Sequence, residues 1–82
     1  MLKIPYYDNP GGFLSVTVKI RYQSNIFVVD EQNYRSYKSG KSFGYHGGFF
    51  DKSPVKITVQ GAGRWYLIVE DGSGGSYQYQ WS

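Results

Sequence analysis

One segment of the chain combines basic and aromatic side chains without any acidic ones. Between Glu31 and Asp51 the sequence carries no carboxylate. Its basic and aromatic residues are Arg35, Lys38, Lys41, His46, Tyr34, Tyr37, Phe43, Tyr45, Phe49 and Phe50. Aromatic rings stack on planar bases and cations neutralise phosphate, so this composition indicates a site for a small anionic, nucleotide-type ligand. Gly44, Gly47 and Gly48 in the same segment would let such a ligand approach the backbone closely.

We predict that the ligand-binding residues come from this segment and from one arginine that follows it. They are Tyr34, Arg35, Tyr37, Lys41, Tyr45, His46 and Arg64. In this scheme the rings stack or hydrogen-bond, and the basic groups pair with phosphate. A structural interpretation stays open, in which Tyr34 and Tyr37 form the apolar face of a short helix that covers one end of the core. In that interpretation His46 belongs to a turn and Arg64 bonds a carbonyl.

A second group of aromatic residues predicts an interaction surface. Residues 77–81 alternate aromatic side chains with glutamines, and the neighbours Phe49 and Phe50 cannot both point inward on a regular strand. The predicted interface residues are Phe49, Phe50, Tyr77, Tyr79 and Trp81. They would bind a protein partner or a second copy of the chain. Two other interpretations of the 77–81 stripe stay open, namely sheet packing and a platform for carbohydrate.

The residue types that catalysis needs are scarce. The chain has no cysteine and one histidine, His46, and among the carboxylates only Asp51 has a spacing to it that suits a metal ligand. The carboxylate pairs at 30–31 and 70–71 are sequence neighbours, which point to opposite faces of a strand and make a poor acid–base pair. No phosphate-binding glycine motif and no nucleophile elbow is present. We therefore predict a protein that is not an enzyme and uses no cofactor or metal.

Hydrophobic periodicity predicts the elements that must position these residues. Alternating or nearly continuous apolar runs indicate strands at 2–7, 14–22, 25–29, 55–60, 65–69 and 77–81. The glycine-rich stretches 61–63 and 71–75 are typical of hairpin loops. Residues 30–40 lack alternation, and Asp30 as N-cap and Gly40 as terminator indicate a short helical turn. With a further strand after the helix, about seven strands predict an all-β fold: an antiparallel β-sandwich or jelly-roll-like squashed barrel, as a single domain over residues 1–82.

Four short motifs carry a resemblance to a known family. They are QNYRSYKSGK at 32–41, YHGG at 45–48, SPV at 53–55 and GRW at 63–65. In order and spacing they resemble the DUF1883 family, whose members show N-[FY]-x-x-Y-x-x-G, Y-[HY]-G-G, S-P-[VY] and G-x-W. The resemblance covers residues 25–75 well and the ends loosely. The departures from the family pattern, at 9–12 and 70–75, fall in predicted turns.

The resemblance implies a small bacterial β-sandwich domain of unassigned function that occurs alone or joined to TIR domains. Such an association implies a place near nucleotide-signalling immune systems, and with it a sensing or ligand-binding role. The resemblance supplies no catalytic residues.

Composition sets broader expectations about partners and location. The net charge of +3 permits an anionic ligand, but the lysines and arginines do not cluster densely enough to predict specific nucleic-acid binding. The chain has no apolar run of membrane-spanning length and no leader-like N-terminus, and it lacks cysteine, so we expect a cytoplasmic protein. An 82-residue chain has a thin core, which favours a homo-oligomer.

Overall fold

The computed structural model describes residues 4–70 and 77–82, which form seven strands and one helix. In chain order these are β1 Tyr6–Asn9, β2 Phe13–Ile20, β3 Ser24–Asp30, α1 Glu31–Lys38, β4 His46–Phe50, β5 Val55–Gln60, β6 Gly63–Glu70 and β7 Tyr77–Trp81. The strands form two antiparallel sheets, which confirms the predicted all-β sandwich. Of the predicted first strand at 2–7, residues 2 and 3 lie outside the described residues. Within the described residues β1 begins later than predicted, at Tyr6, and continues through Asp8 and Asn9, which pair with the start of β6.

The chain crosses repeatedly between the two sheets, and only β3 and β4, on either side of α1, follow each other within one sheet. The four-stranded sheet has the order β1-β6-β3-β4, and the three-stranded sheet has the order β5-β2-β7. The predicted hairpin at 61–63 is therefore wrong, because β5 and β6 belong to different sheets. Gly61 and Gly63 both have φ +128, which allows the short link to turn from one sheet to the other. The predicted hairpin loop at 71–75 lies outside the described residues, and the strands it would join, β6 and β7, also lie in different sheets.

The core forms between the inner faces of the two sheets. The alternation in β2 and β5 places their apolar residues on one face, with Leu14 opposite Val59, Val16 opposite Ile57 and Val18 opposite Val55. From the four-stranded sheet, Ile26, Val28 and Leu67 pack against them and are fully buried. Because successive side chains of a strand point to opposite faces, β2, β3, β5 and β6 each contribute to this core with one face.

Helix α1 covers part of the outer face of the four-stranded sheet. It contacts β3 and β6, and the outward-pointing Val29 and Ile68 on those strands are buried. The predicted N-cap is confirmed, since the Asp30 carboxylate accepts a hydrogen bond from the backbone N–H of Asn33 at 2.8 Å. Gly40, with φ +74, follows the last helical turn, as predicted.

Candidate functional site

A ring-to-ring stack fixes α1 on the four-stranded sheet. The ring of Tyr34 lies on the ring of Tyr66 from β6, with centroids 3.8 Å apart and planes 8° from parallel. Tyr6 from β1 contacts the other side of this pair, with its centroid 6.0 Å from that of Tyr66. Tyr37 follows one helical turn after Tyr34, with centroids 6.5 Å apart. Helix and sheet thus join four tyrosines into one row.

The row continues across the segment that leads from α1 to β4. Phe43 packs edge-on against Tyr37 at 5.3 Å and contacts Tyr45 at 5.7 Å. Phe27 on β3 contacts Tyr45 at 4.5 Å and Phe43 at 6.1 Å. Seven rings therefore form one continuous patch, which we name the aromatic surface: Tyr6, Phe27, Tyr34, Tyr37, Phe43, Tyr45 and Tyr66. Tyr6 and Tyr45, near its two ends, are 53% and 51% exposed.

Arg64 lies at the Tyr6 end of the aromatic surface and already has a carboxylate partner. Its Nε and Nη2 atoms donate to the two oxygens of Asp8 at 2.8 and 3.3 Å, and its guanidinium lies 4.3 Å from the centroid of the Tyr6 ring. The hydrogen bond from Arg64 lowers the pKa of Asp8, and the same bond raises the pKa of Arg64. A phosphate at this end would meet a guanidinium that is already paired with the Asp8 carboxylate.

The basic residues of the 35–41 segment differ in their availability. Arg35 donates to Glu31 at 2.9 Å, one turn earlier on the helix, so its charge is already paired. The Nζ atom of Lys38 lies 5.8 Å from the centroid of the Tyr34 ring. Within the described residues, neither Lys38 nor Lys41 has a carboxylate within ion-pair distance. Lys41 is held beside the end of α1 by the bond from its backbone N–H to the Ser36 carbonyl at 2.9 Å.

The hydroxyl of Tyr37 faces a carboxylate at the end of β6. It donates to the Oε2 atom of Glu70 over 3.4 Å. Partial burial of the phenol, followed by the negative charge of Glu70, raises the pKa of Tyr37. This hydroxyl is therefore a hydrogen-bond donor at the edge of the aromatic surface.

The structure separates His46 from the other predicted ligand-binding residues. His46 pairs with Val28 on β4 and β3, and Val28 is a core residue, so the imidazole lies on the inner face of the sheet. Its ring centroid is 6.0 Å from that of Trp65, also on the inner face. Because side chains alternate along a strand, the aromatic surface lies on the opposite side. The structure therefore does not bring His46 together with Tyr34, Tyr45 and Arg64.

Gly47 has a structural role that the ligand interpretation did not include. A Cβ atom at this position would lie 1.9 Å from the carbonyl oxygen of Ile26, and φ is +138. The close approach of β4 to β3 therefore requires a glycine. Phe27 lies opposite Gly47 in the register, and its ring contacts Tyr45 beside the glycine, which has no side chain.

The five predicted interface residues occupy different environments. Phe50, Tyr77 and Trp81 are partly buried and pack against the core, which supports sheet packing over a carbohydrate platform for most of the 77–81 stripe. Phe49 is 61% exposed and points outward, as expected for the neighbour of an inward-pointing Phe50. Tyr79 is 46% exposed.

Two cavities open near β7, and the predicted ligand-binding residues line neither of them. One, of about 120 Å³, is lined by Thr17, Lys19, Gln78, Tyr79 and Gln80. The other, of about 250 Å³, is lined by Ile4, Pro5, Tyr6 and Tyr79. The predicted residues Tyr34, Tyr45 and Arg64 share the outer face of the four-stranded sheet, where they form part of an extended surface.

Sequence reasoning missed four residues of this region: Tyr6, Asp8, Phe27 and Tyr66. Tyr66 lies in a run that reads as continuously apolar, and its place between Trp65 and Leu67 is the only signal that it faces outward. The pairing of Tyr6 with Tyr66 spans most of the chain, and no local pattern contains it.

Across residues 4–70 and 77–82, no three histidine or carboxylate side chains cluster as metal ligands would. In the same residues no helix has both the length and the apolar character needed to span a membrane.

Comparison with known proteins gives one match. No curated protein and no solved structure matches the chain. The family described as "Domain of unknown function (DUF1883)" matches residues 11–79. That range contains α1, the strands β2 to β6, and most of the aromatic surface. The chain belongs to the DUF1883 family.

Proposed function

We propose that this domain is a non-catalytic binding module that recognises a small anionic, nucleotide-type ligand on the aromatic surface. The supporting observation is the arrangement of side chains at the C-terminal end of α1. There the Nζ atom of Lys38 lies 5.8 Å from the centroid of the Tyr34 ring, and the backbone of Lys41 is bonded to the helix end two residues before Phe43. Neither lysine has a carboxylate partner among the described residues. Rings and free cations in one place suit a planar base that carries phosphate.

The ligand's ring system would stack at Tyr45, whose exposed half continues the edge-to-face cluster with Phe27 and Phe43. The cluster holds Tyr45 in place before binding, which lowers the entropy cost of ordering it. The phosphate would pair with Lys38 and Lys41. Arg35 and Arg64 contribute less to phosphate binding in this proposal than in the scheme drawn from the sequence. Each of them already forms an ion pair, with Glu31 and with Asp8 respectively.

The biological role that we propose is recognition or sequestration of a nucleotide-type signal in bacterial immunity. The ring-and-lysine chemistry supports the ligand class. The association with TIR domains that the family resemblance implies supports the immune context, and it is an argument by analogy.

Isothermal titration calorimetry with ADP-ribose and with cyclic dinucleotides tests the proposal. We expect saturable binding that weakens with added salt, since two of the contacts are charged. The double variant Lys38→Ala/Lys41→Ala should weaken binding at least about tenfold, because each charge-assisted contact contributes roughly 1.5–3 kcal/mol. Lys56→Ala removes an exposed lysine from β5, on the other sheet, and should leave the affinity unchanged.

Tyr45→Ala should also weaken binding, whereas Tyr22→Ala, at a tyrosine of similar exposure (57%), should not. The melting temperature of each free variant shows whether it is folded. The proposal fails if neither ligand binds at millimolar concentration, or if the lysine double variant binds as well as Lys56→Ala.

A further inference from the structure

Strand β7 lies at an edge of the three-stranded sheet, and some of its backbone N–H and C=O groups point away from that sheet. In the described part of the chain β7 pairs only with β2. Ser82 and Ser15 exchange both backbone hydrogen bonds, at 2.9 and 2.8 Å. In an antiparallel ladder such hydrogen-bonded pairs alternate with non-bonded ones, so Gln80 and Gln78 also direct their N–H and C=O groups toward β2. The backbone N–H and C=O of Tyr79 and Trp81 therefore point away from β2.

The side chains of β7 lack the features that protect an edge strand. The sequence Tyr-Gln-Tyr-Gln-Trp contains no charge, no proline and no glycine, although proteins commonly place such residues on edges to prevent pairing. Tyr79, at its centre, is 46% exposed, although it lies opposite the core residue Val18 on the inner face. The cavity of about 250 Å³ that Tyr79 lines with Ile4, Pro5 and Tyr6 leaves space beside this ring.

The order of residues in β7 suits one partner in particular. Read from either end, the strand runs aromatic, glutamine, tyrosine, glutamine, aromatic. Two copies placed antiparallel around Tyr79 would therefore put aromatic opposite aromatic and glutamine opposite glutamine. A twofold axis requires such self-complementarity, because each copy presents the same surface to the other.

We propose that the chain forms a dimer in which the β7 strands of two copies pair antiparallel about a twofold axis at Tyr79. The two Tyr79 residues exchange both backbone hydrogen bonds, and Gln78 of each copy lies opposite Gln80 of the other. The three-stranded sheets of the two copies then form one continuous sheet. The rings of the two Tyr79 residues lie side by side on its inner face, where each adjoins the cavity of its own copy. This inference is independent of the proposed ligand, whose contacts lie at the end of α1.

Sedimentation equilibrium of the full chain tests the dimer, over concentrations from about 10 µM to 1 mM, a range that covers weak self-association. We expect the mass of two chains to predominate at the upper end. A mass of one chain throughout would overturn the proposal.

The register is tested with two double variants at the solvent-facing glutamines, which leave the core residues unchanged. Gln78→Glu/Gln80→Glu places carboxylates of the two copies opposite each other and should weaken the dimer at least about tenfold, because like charges directly opposite are destabilising. Gln78→Glu/Gln80→Lys places opposite charges together and should retain it. Both variants carry the same substitution at position 78, which lies opposite Lys19 on β2 of the same chain, so this contact does not distinguish them.

A dimer that both variants retain equally, or that both lose equally, would overturn the register. Tyr79→Lys adds a further test, since it places two ammonium groups at the axis and should abolish the dimer. Tyr22→Lys is its control, because it adds the same charge at an exposed tyrosine outside the strands. Loss of the dimer in Tyr22→Lys as well would mean that net charge, and not β7 pairing, governs association.

Discussion

The rings of Tyr34 and Tyr66 lie 3.8 Å apart and nearly parallel, and they join the helix to the outer face of the four-stranded sheet. Beneath them Val29 and Ile68 are buried on a face that would otherwise meet water. The tyrosine stack therefore both supports the candidate site and covers a small second core.

Replacing Tyr34 should show the energetic contribution of this stack. We expect Tyr34→Ala to lower the free energy of unfolding by about 2–3 kcal/mol, because it removes ring stacking and exposes apolar surface. Tyr34→Phe keeps the ring and should remain within about 0.5 kcal/mol of the wild type. Urea unfolding followed by tryptophan fluorescence measures both. A loss below about 0.5 kcal/mol in Tyr34→Ala would contradict the role of the stack.

Glycine at position 47 should be essential to the pairing of β3 with β4. We expect Gly47→Ala to destabilise the fold by about 2–4 kcal/mol, since its Cβ would overlap the Ile26 carbonyl and its φ of +138 is unfavourable for alanine. Gly44→Ala is the matched control, because its Cβ would make only an ordinary 3.5 Å contact with the Asn33 side chain. Thermal unfolding of the two variants should separate them clearly, and equal melting temperatures would refute the prediction.

Asn9 should stabilise the end of the sandwich where two loops meet. Its buried side-chain Nδ2 donates to the carbonyls of Gly12 at 3.1 Å and Gly61 at 2.8 Å. Asn9→Ala leaves these carbonyls without that donor and should cost about 1–3 kcal/mol. Asn25→Ala, at an exposed asparagine on β3, should cost less than about 0.5 kcal/mol. Chemical denaturation measures the free energy of unfolding of both variants. The prediction is contradicted if Asn9→Ala lowers this free energy no more than Asn25→Ala does.

The pair of Asp8 and Arg64 should make stability depend on acid pH. The hydrogen bond from Arg64 holds the pKa of Asp8 below its ordinary value of 3.8 in the folded state. Its contribution is thus fully present above that value and is lost as the pH falls through the lower, folded-state pKa. Asp8 is exposed, so the effect is small.

Urea unfolding at pH 7 and near pH 2 measures this dependence, a range that spans the titration of carboxylates. Asp8→Asn should lose less stability on acidification than the wild type does. Asp51→Asn is the control, because Asp51 has no ion pair among the described residues, and it should follow the wild type. If acidification lowers the stability of Asp8→Asn as much as that of the wild type, the ion pair does not contribute to folding.

Parts of the candidate site followed from local spacing and parts did not. The neighbours Tyr34, Tyr37 and Lys38 could be grouped in advance, because residues three and four apart share a helix face, and the structure places them together. The position of His46 on the other face could not be predicted in this way, because it depends on where β4 begins and on the pairing of His46 with Val28. The pairing of Arg64 with Asp8 joins residues 56 positions apart, beyond the reach of any local pattern.

The sequence by itself determined most of the strands, the short helix and its N-cap, since alternation and capping are local properties of a few consecutive residues. It also determined which face of β2 and of β5 enters the core. Only the tertiary structure decided that the link at Gly61 crosses between sheets, and that Tyr6, Tyr66 and Tyr34 meet on one outer face. Those arrangements depend on which distant strands pair and in what register, and the packing of the whole core selects that pairing.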